Sequence, residues 1–349
     1  MTEKNTATAA LHAYESLTPD VVLDALASVG LLGDGRLMAL SSYENRVYQI
    51  HLESPVGDAD LAGDIVVAKF YRPDRWSDEQ IAEEHAFAAE LMAAEIPVVG
   101  ALVLDGRTVH HFKGFSFSVS PSRGGRRPEL DNLEVLEWIG RFLARIHTVG
   151  SAKPFAHRPA LNLQTFGYAS RDILLAGGAH GYIPLDMESR WRKAFEEAML
   201  VAQTVFESVG DVKNLRLHGD CHPGNILWTP EGLPLAGPHF VDLDDARTGP
   251  AVQDLWMLVS GDRAQCTRQL GALVDGYEEF REFDRRELAL IEPLRTLRLV
   301  HYSAWLAQRW HDPIFPINFP WFGSSDYWKG QVDMLEEQTE AMQDPPLVC

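Results

Sequence analysis

The feature that most constrains this chain is a polar loop held between two apolar runs, at residues 217–228. Within it, Asp220 and Asn225 lie five positions apart. A second apolar run ends at Val241 and is followed at once by Asp242. We predict that both loops follow short strands. Carboxylate and amide oxygens on adjacent loops suit Mg²⁺, which takes oxygen ligands and is usually completed by waters and substrate phosphates.

Other interpretations of this loop stay open at this point. It could be a polar turn between two strands with incidental acids. It could also hold zinc through His218, Cys221 and His222, but structural zinc sites normally draw ligand pairs from separated segments. The sequence favours a phosphoryl-transfer site, in which a metal holds phosphates and a carboxylate orients the attacking hydroxyl.

Bulk properties narrow the class of protein. The chain has 349 residues, so we expect two subdomains around a cleft rather than one small core. The formal net charge of −19 argues against nucleic-acid partners and against an anionic membrane surface. Three scattered cysteines and the lack of an apolar run of about 20 residues indicate a protein of the reducing cytoplasm.

Periodicity and turn signals predict a division of the chain into three parts. Residues 1–16 are expected to form a flexible tail, 17–121 an N-terminal nucleotide-binding lobe, and 122–349 a helical C-terminal lobe. The expected strands of the first lobe are 37–40, 46–52, 65–71, 102–104, 108–112 and 115–120. Helices are expected to begin near Thr18, Ser77 and Asn132, and to span 186–209 and 294–310. Residues 151–180 are expected to be irregular.

The N-terminal part contains three further candidates for a phosphate site. Lys69 lies inside an apolar, β-branched run, so it must find an anion or extend its head to water. Glu83 and Glu84 lie on the following helix, where one could pair with Lys69 or both could be solvated. The loop at residues 41–45 could cover phosphates or be an ordinary hairpin turn.

The C-terminal part adds two open questions. Asp254 begins another helical segment and could be a structural anchor or only a helix-start charge. The aromatic and proline-rich loop at residues 314–322 could pack on the core or form a wall beside the substrate.

These segments carry a family resemblance. The spacing from His218 through Asp220 to Asn225, followed by Asp242, resembles the H-G-D-x-H-x-x-N pattern of aminoglycoside phosphotransferases and choline kinases. Almost the whole chain resembles a family of bacterial stress-response Ser/Thr protein kinases within that superfamily. The segments that carry this likeness are 42–49, 69–73, 217–228, 240–247, 249–258 and 318–321.

The resemblance implies an α+β, bilobal, protein-kinase-like fold. It has an antiparallel sheet lobe with one C-type helix and a larger, mainly helical lobe. It implies a cytoplasmic, monomeric enzyme that uses ATP and Mg²⁺ to phosphorylate Ser or Thr of protein substrates, with autophosphorylation possible in principle. The implied roles are Asp220 as proton acceptor, Asn225 and Asp242 as Mg²⁺ ligands with Asp242 also catalytic, Ser42 in the ATP-contacting loop, Lys69 with Glu84 at the α/β-phosphates, and Asp254 beneath the catalytic loop.

The chain departs from the protein-kinase pattern in several places. No G-x-G-x-x-G loop precedes Lys69, Asp242-Leu243-Asp244 replaces Asp-Phe-Gly, and no Ala-Pro-Glu segment follows. Two rival functions share the same motifs: a small-molecule kinase, and a pseudokinase that only binds nucleotide and partners.

Overall fold

The computed structural model describes residues 13–56, 63–177 and 181–349, and they form an α+β fold as predicted. The helices are α1 (Pro19–Ala27), α2 (Asp78–Ala93), α3 (Leu133–Gly150), α4 (Ala169–Leu175), α5 (Leu185–Val209), α6 (Gln253–Trp256), α7 (Arg263–Glu278), α8 (Ile291–Arg309), α9 (Ile314–Asn318) and α10 (Ser325–Ala341). The strands are β1 (Gly33–Leu40), β2 (Arg46–Val56), β3 (Gly63–Phe70), β4 (His110–Phe112), β5 (Phe115–Pro121), β6 (Leu215–Leu217), β7 (Ile226–Thr229), β8 (Gly237–Phe240) and β9 (Arg247–Gly249). No helix of the described residues is long and apolar enough to cross a membrane.

The described chain forms two compact units. The first comprises the described residues up to 78, with 101–122 and 309–320; the second comprises 79–100, 123–308 and 321–349. Both are discontinuous in sequence, whereas we predicted two continuous lobes. Most of α2 joins the second unit because Glu83 accepts backbone N–H groups of Ala156, His157 and Arg158. Residues 309–320 join the first unit, where Asp312 pairs with Arg72 at 3.0 Å.

The first unit is built on an antiparallel sheet. Within the described residues it has five strands in the order β1-β2-β3-β5-β4. One face of β3 buries Val66, Ala68 and Phe70, as the alternation of strand residues requires. These side chains pack with α1, which begins where Thr18 caps its first turn by accepting from the Val21 N–H. Lys69 therefore lies on the opposite face of β3.

The predicted flexible tail is wrong for its last residues. Residues 1–12 of it lie outside the described part of the chain. Tyr14, by contrast, is only 6% exposed, because its ring stacks on Phe115 at 6.1 Å. Its hydroxyl donates to the carbonyls of Glu44 and Phe70. The start of the described chain is thus part of the core of the first unit.

One predicted strand of this unit is also absent. Residues 102–104 form no strand, although Leu102 N–H donates to the Val119 carbonyl at 2.7 Å. The segment folds back instead, because Asp105 and Gly106 both take positive φ and Leu104 bridges to Arg107. The remaining strands of the sheet match the predicted positions within a few residues.

The second unit is mainly helical. Helices α3 and α7 pack closely at Gly140, where an added Cβ would collide with the Leu273 carbonyl oxygen. Helix α5 packs on α10 through Trp191 and Trp328, whose ring centroids lie 5.9 Å apart. Two small antiparallel pairs, β6 with β9 and β7 with β8, complete this unit within the described residues.

The prediction that residues 151–180 are irregular is wrong in its second half. A π-helical turn spans Leu163–Tyr168 and runs directly into α4. The turn begins with a capping box, in which the Asn162 side chain accepts from Thr165 N–H while the Thr165 hydroxyl oxygen accepts from Asn162 N–H. That polar pair is a sequence signal for a helix start, and it could have been recognised in advance.

The aromatic loop at 314–322 is partly a helix, α9. Phe315 and Phe319 are buried, and the Phe319 ring lies 5.0 Å from that of Tyr43 in the loop between β1 and β2. Ile317 is 75% exposed. The described contacts of these phenylalanines therefore favour packing on the first unit.

Candidate active site

Two short strand pairs bring the predicted polar loops together. Because β7 pairs with β8, Ile226 lies opposite Phe240, and the residues just outside this pair become neighbours. Val241 N–H accordingly donates to the Asn225 carbonyl at 3.0 Å. His218 Nε2 donates to the Val241 carbonyl at 3.0 Å, which ties the start of the first loop to the second. The loops carrying Asp220, Asn225 and Asp242 are therefore adjacent in the second unit.

A buried carboxylate binds the backbone of the first loop and fixes its position. Asp254 accepts the backbone N–H groups of His218 at 2.9 Å and Gly219 at 2.8 Å. It also pairs with His147 Nε2 at 3.1 Å, and the Gln253 amide donates to the Gly219 carbonyl. Burial of Asp254 opposes ionisation, but these donors and the nearby histidines hold its pKa below the usual value. The anchoring role that the resemblance implied fits this geometry.

Gly219 allows the two loops to approach so closely. Its φ of +85° lies in the left-handed region, which suits a residue without a Cβ. A Cβ at this position would also collide with the carbonyl oxygen of Asp245, on the second loop. The residue next to Asp220 is therefore restricted to glycine by both conformation and space.

Asp220 is held from two sides. The Asn225 side-chain nitrogen donates to the Asp220 carbonyl at 3.0 Å and lies 3.5 Å from its Oδ2. Arg298 Nη1, from α8, donates to Oδ1 at 2.8 Å. His222 Nε2 lies 3.5 Å from Oδ2, and burial lowers the pKa of this histidine. The carboxylate is 21% exposed, so it is oriented yet remains accessible.

Asp242 has an unusual backbone conformation. Its φ of 60° and ψ of 63° place it in the left-handed region, which costs a non-glycine residue on the order of 1 kcal/mol and often marks functional sites. A 3-10 turn at Leu243–Asp245 follows. The buried Arg158 secures that turn by donating to the carbonyls of Asp244 and Ala246.

The side-chain oxygen atoms of these two loops suit a magnesium ion as ligands. The Asn225 nitrogen is engaged by the Asp220 carbonyl, which fixes the amide orientation and leaves its oxygen as the ligand atom. Asp242 adds a carboxylate. The described part of the chain contains no cluster of three or more His, Cys, Asp and Glu side chains that could hold a metal. Magnesium does not need one, since one or two protein oxygens and substrate phosphates suffice.

The predicted nucleotide residues of the first unit lie on strand β3 and in the loop between β1 and β2. Ser42 is partly exposed in the loop between β1 and β2, and Lys69 is partly exposed on β3 opposite Val47 and Ser118. Arg72 holds this loop by donating to the carbonyls of Tyr43 and Glu44. The loop conformation is therefore fixed by the segment that follows Lys69.

Glu84 belongs to the second unit and is 6% exposed. Its Oε2 lies 3.8 Å from Nη1 of Arg158, the residue that also holds the turn after Asp242. The pairing of Glu84 with Lys69 stays a prediction. Glu83, the other acid that we considered, binds three successive backbone N–H groups, and these bonds keep its pKa low despite partial burial.

Cys221, beside Asp220, is fully buried. Burial raises its pKa well above the ordinary value, and the nearby carboxylates of Asp254 and Asp220 act in the same direction. A reactive thiol needs the opposite environment, because the thiolate is the nucleophile. Its position in the loop therefore gives no support to a redox role.

Sequence reasoning missed two residues of this site. Arg298 lies 78 positions from Asp220, and the sequence marks it only as a cation in an otherwise apolar helix. Arg158 lies in a segment expected to be irregular. A buried arginine is unusual and must be paired, but burial itself cannot be read from the local sequence.

The chain is similar to several known proteins. The phosphotransferase enzyme family APH matches residues 37–291. Stress response kinase A of Escherichia coli K12 is 46% identical over 334 residues, covering 96% of both chains. The serine/threonine protein kinase RdoA of Salmonella typhimurium is 44% identical over the same share of each chain. Amicoumacin kinase hAmiN, solved with AMP-PNP, Ca²⁺ and Ami, has a similar fold, with a TM-score of 0.68 at 17% identity over 97% of this chain and 98% of that one.

The family match covers more than half of the chain, and the relatives match almost all of it. The chain therefore belongs to the APH family of phosphotransferase enzymes and is a kinase homologous to stress response kinase A.

Proposed function

We propose that this protein is an ATP- and Mg²⁺-dependent serine/threonine protein kinase of a bacterial stress response. The observation that carries the chemistry is the assembly of Asp220, Asn225 and Asp242 on two loops locked together by hydrogen bonds. The protein acceptor is supported by the 44% identical relative whose name is serine/threonine protein kinase RdoA. The stress response is supported by the name of the 46% identical relative.

In this proposal the protein mainly positions groups. Asp220 accepts a hydrogen bond from the substrate hydroxyl and orients its oxygen toward the transferred phosphoryl. It need not be a strong base, because the transition state is loose. Asn225 and Asp242 hold Mg²⁺, which would neutralise charge on the phosphates. Asp242 thereby contributes to catalysis as well as to binding.

The N-terminal part of the sequence supplies the proposed nucleotide contacts. Ser42 and its loop provide polar groups for ATP, while Lys69 and Glu84 fix the α/β-phosphates. The loop is suited to this task because Arg72 fixes its backbone at two carbonyls. Preorganised groups of this kind stabilise charge without reorganising during the reaction. We also propose that the enzyme acts as a monomer in the cytoplasm, as the family resemblance implies.

The acceptor is tested by comparing proteins with metabolites. Purified protein is incubated with Mg²⁺ and γ-labelled ATP, alone, with a generic protein acceptor, and with a protein-free metabolite extract. Label on Ser or Thr of the acceptor, or of the kinase itself, is expected. Label found only in small molecules would contradict a protein kinase and establish a small-molecule kinase.

The small-molecule alternative rests on a specific likeness. The amicoumacin kinase shares the fold at 17% identity, and the motif of this chain from His218 to Asn225 resembles that of small-molecule kinases. The pseudokinase alternative is opposed by the presence of Lys69, Asp220, Asn225 and Asp242. Nucleotide binding without turnover under every condition of the acceptor experiment would favour the pseudokinase.

A further inference from the structure

The ion pair between Arg298 and Asp220 is the least expected feature of the site. Arg298 Nη1 lies 2.8 Å from Oδ1 of Asp220, and the arginine side chain is 43% exposed. An ion pair this exposed contributes little to stability. Its position on the proposed catalytic carboxylate therefore calls for a functional explanation.

The geometry places the Arg298 charge close to any acceptor hydroxyl. A hydroxyl that Asp220 orients must lie within about 3 Å of the carboxylate. Because the guanidinium also lies 2.8 Å from that carboxylate, the two groups are about 6–8 Å apart at most. Opposite charges at this distance attract appreciably where the dielectric constant is reduced, and like charges repel equally.

Arg298 has donors left for a second anion. A guanidinium carries five N–H groups, and within the described residues Arg298 makes its hydrogen bond to Asp220 through Nη1. Arg295, one turn earlier on α8, is already paired with Glu292 at 3.1 Å and lies over the Trp256 ring. Of these two arginines of α8, Arg298 is therefore the one with N–H groups left to bind a charged substrate.

We propose that Arg298 is a specificity residue that selects acceptor hydroxyls flanked by a negative charge, such as a Ser next to Glu. This inference rests on the proposed function and narrows its substrate class. A carboxylate beside the acceptor would bind the free N–H groups of Arg298 without displacing Asp220. A cationic group in the same place, as in an amino alcohol, would be repelled.

The test uses three peptides that differ only in the residue following a single Ser, namely Glu, Gln or Lys. The wild type should favour the Glu peptide over the Lys peptide by about tenfold or more in kcat/KM. Arg298→Gln should reduce this ratio to within about threefold, Arg298→Glu should invert it, and Arg298→Lys should retain its direction. Arg295→Gln is the matched control and should keep the wild-type ratio.

Two readouts separate specificity from simple positioning. If Arg298→Gln slows all three peptides equally and leaves the ratio unchanged, Arg298 only orients Asp220 and the proposal is wrong. A wild-type preference for the Lys peptide would also overturn it. In the wild type, the ratio of kcat/KM for the Glu peptide to that for the Lys peptide should shrink with added salt, because salt screens the interaction between Arg298 and the charged peptide residue. In Arg298→Gln this ratio should change little.

Failure of the proposed function gives a different pattern. If neither the protein acceptor, the kinase itself nor any peptide is labelled, the protein-kinase assignment falls, and the same charge comparison is made with glycerate and 1-amino-2-propanol. A preference for glycerate that Arg298→Gln removes would uphold the role of Arg298 for small acceptors. A preference for the amine, an unchanged ratio, or transfer to neither compound would overturn it.

Discussion

The carboxylate of Asp254 holds the backbone N–H of Gly219 at 2.8 Å, one residue before the proposed catalytic Asp220. The same carboxylate holds His218 N–H and pairs with His147, so one buried acid connects α3, α6 and the catalytic loop. Positioning of Asp220 thus depends on a residue that need not contact any substrate.

Replacing this anchor should damage both activity and stability. In Asp254→Asn the amide keeps one acceptor and introduces donors that face the N–H groups of His218 and Gly219. We expect a loss of about 2–4 kcal/mol in the free energy of unfolding, since a buried charge network loses its centre. Phosphoryl transfer should fall by at least about 100-fold, because small misplacements of reacting groups are costly.

Urea unfolding and labelled-ATP assays measure the two effects, with the exposed Asp172→Asn as control. Activity within a few fold of the wild type would show that the loop does not need this anchor.

Gly219 should tolerate no side chain. In Gly219→Ala the new Cβ must adopt a positive φ and avoid the Asp245 carbonyl, so the two loops must separate. We predict loss of phosphoryl transfer by at least about 100-fold, together with weaker Mg²⁺ dependence. Gly232→Ala is the matched control, because Gly232 has a similar φ of +80° and open space around it. Equal activity in the two variants would contradict the proposed close approach of the loops.

Cys221 should resist alkylation. Burial and a raised pKa keep this thiol protonated and out of contact with solvent, whereas Cys349 is exposed. At pH 7.5 iodoacetamide should modify Cys349 at least about tenfold faster than Cys221. Peptide mass spectrometry over time measures both rates. Rapid modification of Cys221 in the folded protein would contradict its burial and would support a redox role.

Glu287 should make stability depend on pH near neutrality. Its Oε2 accepts the Val252 N–H at 2.8 Å, and burial raises its pKa to about 7. Because the folded protein favours the neutral form of Glu287, the neutral acid contributes to the free energy of unfolding. This contribution is fully present below the unfolded pKa of about 4.5 and is lost as the pH rises through 7.

The matched variant for this effect is Glu287→Gln, which stays neutral at every pH. Between pH 5 and 8 the wild type should lose about 2–3 kcal/mol in its free energy of unfolding relative to this variant. Urea unfolding at both pH values gives the difference. If the difference in free energy of unfolding between the wild type and Glu287→Gln were the same at both pH values, Glu287 would be ionised throughout this range.

Local patterns predicted the elements around the site well. The helix starts near Thr18 and Asn132, the apolar run of β3 and the apolar runs before Asp220 and Asp242 are all local signals, and the structure confirms these elements. The catalytic motif could be recognised in the sequence for the same reason, because its residues lie within two short segments. The proposed roles of Asp220, Asn225, Asp242, Ser42, Lys69 and Glu84 stay predictions.

Long-range contacts could not be predicted in this way. The pairing of Arg298 with Asp220 and the bonds from Arg158 to the turn after Asp242 join residues far apart in sequence. The local sequence places Tyr14 in a tail, whereas its burial depends on Phe115, about 100 positions away. In each case the deciding interaction lies in tertiary packing, which local composition does not encode.

The most direct test of the account is phosphoryl transfer by the wild type and by Asp220→Asn, with the exposed Asp326→Asn as control. Each purified protein is incubated with Mg²⁺, γ-labelled ATP and a protein acceptor, after thermal unfolding has shown that all three are folded. We predict label on Ser or Thr with the wild type and the control, and a loss of at least about 1,000-fold with Asp220→Asn. Full transfer by a folded Asp220→Asn would contradict the central claim that Asp220 orients the attacking hydroxyl.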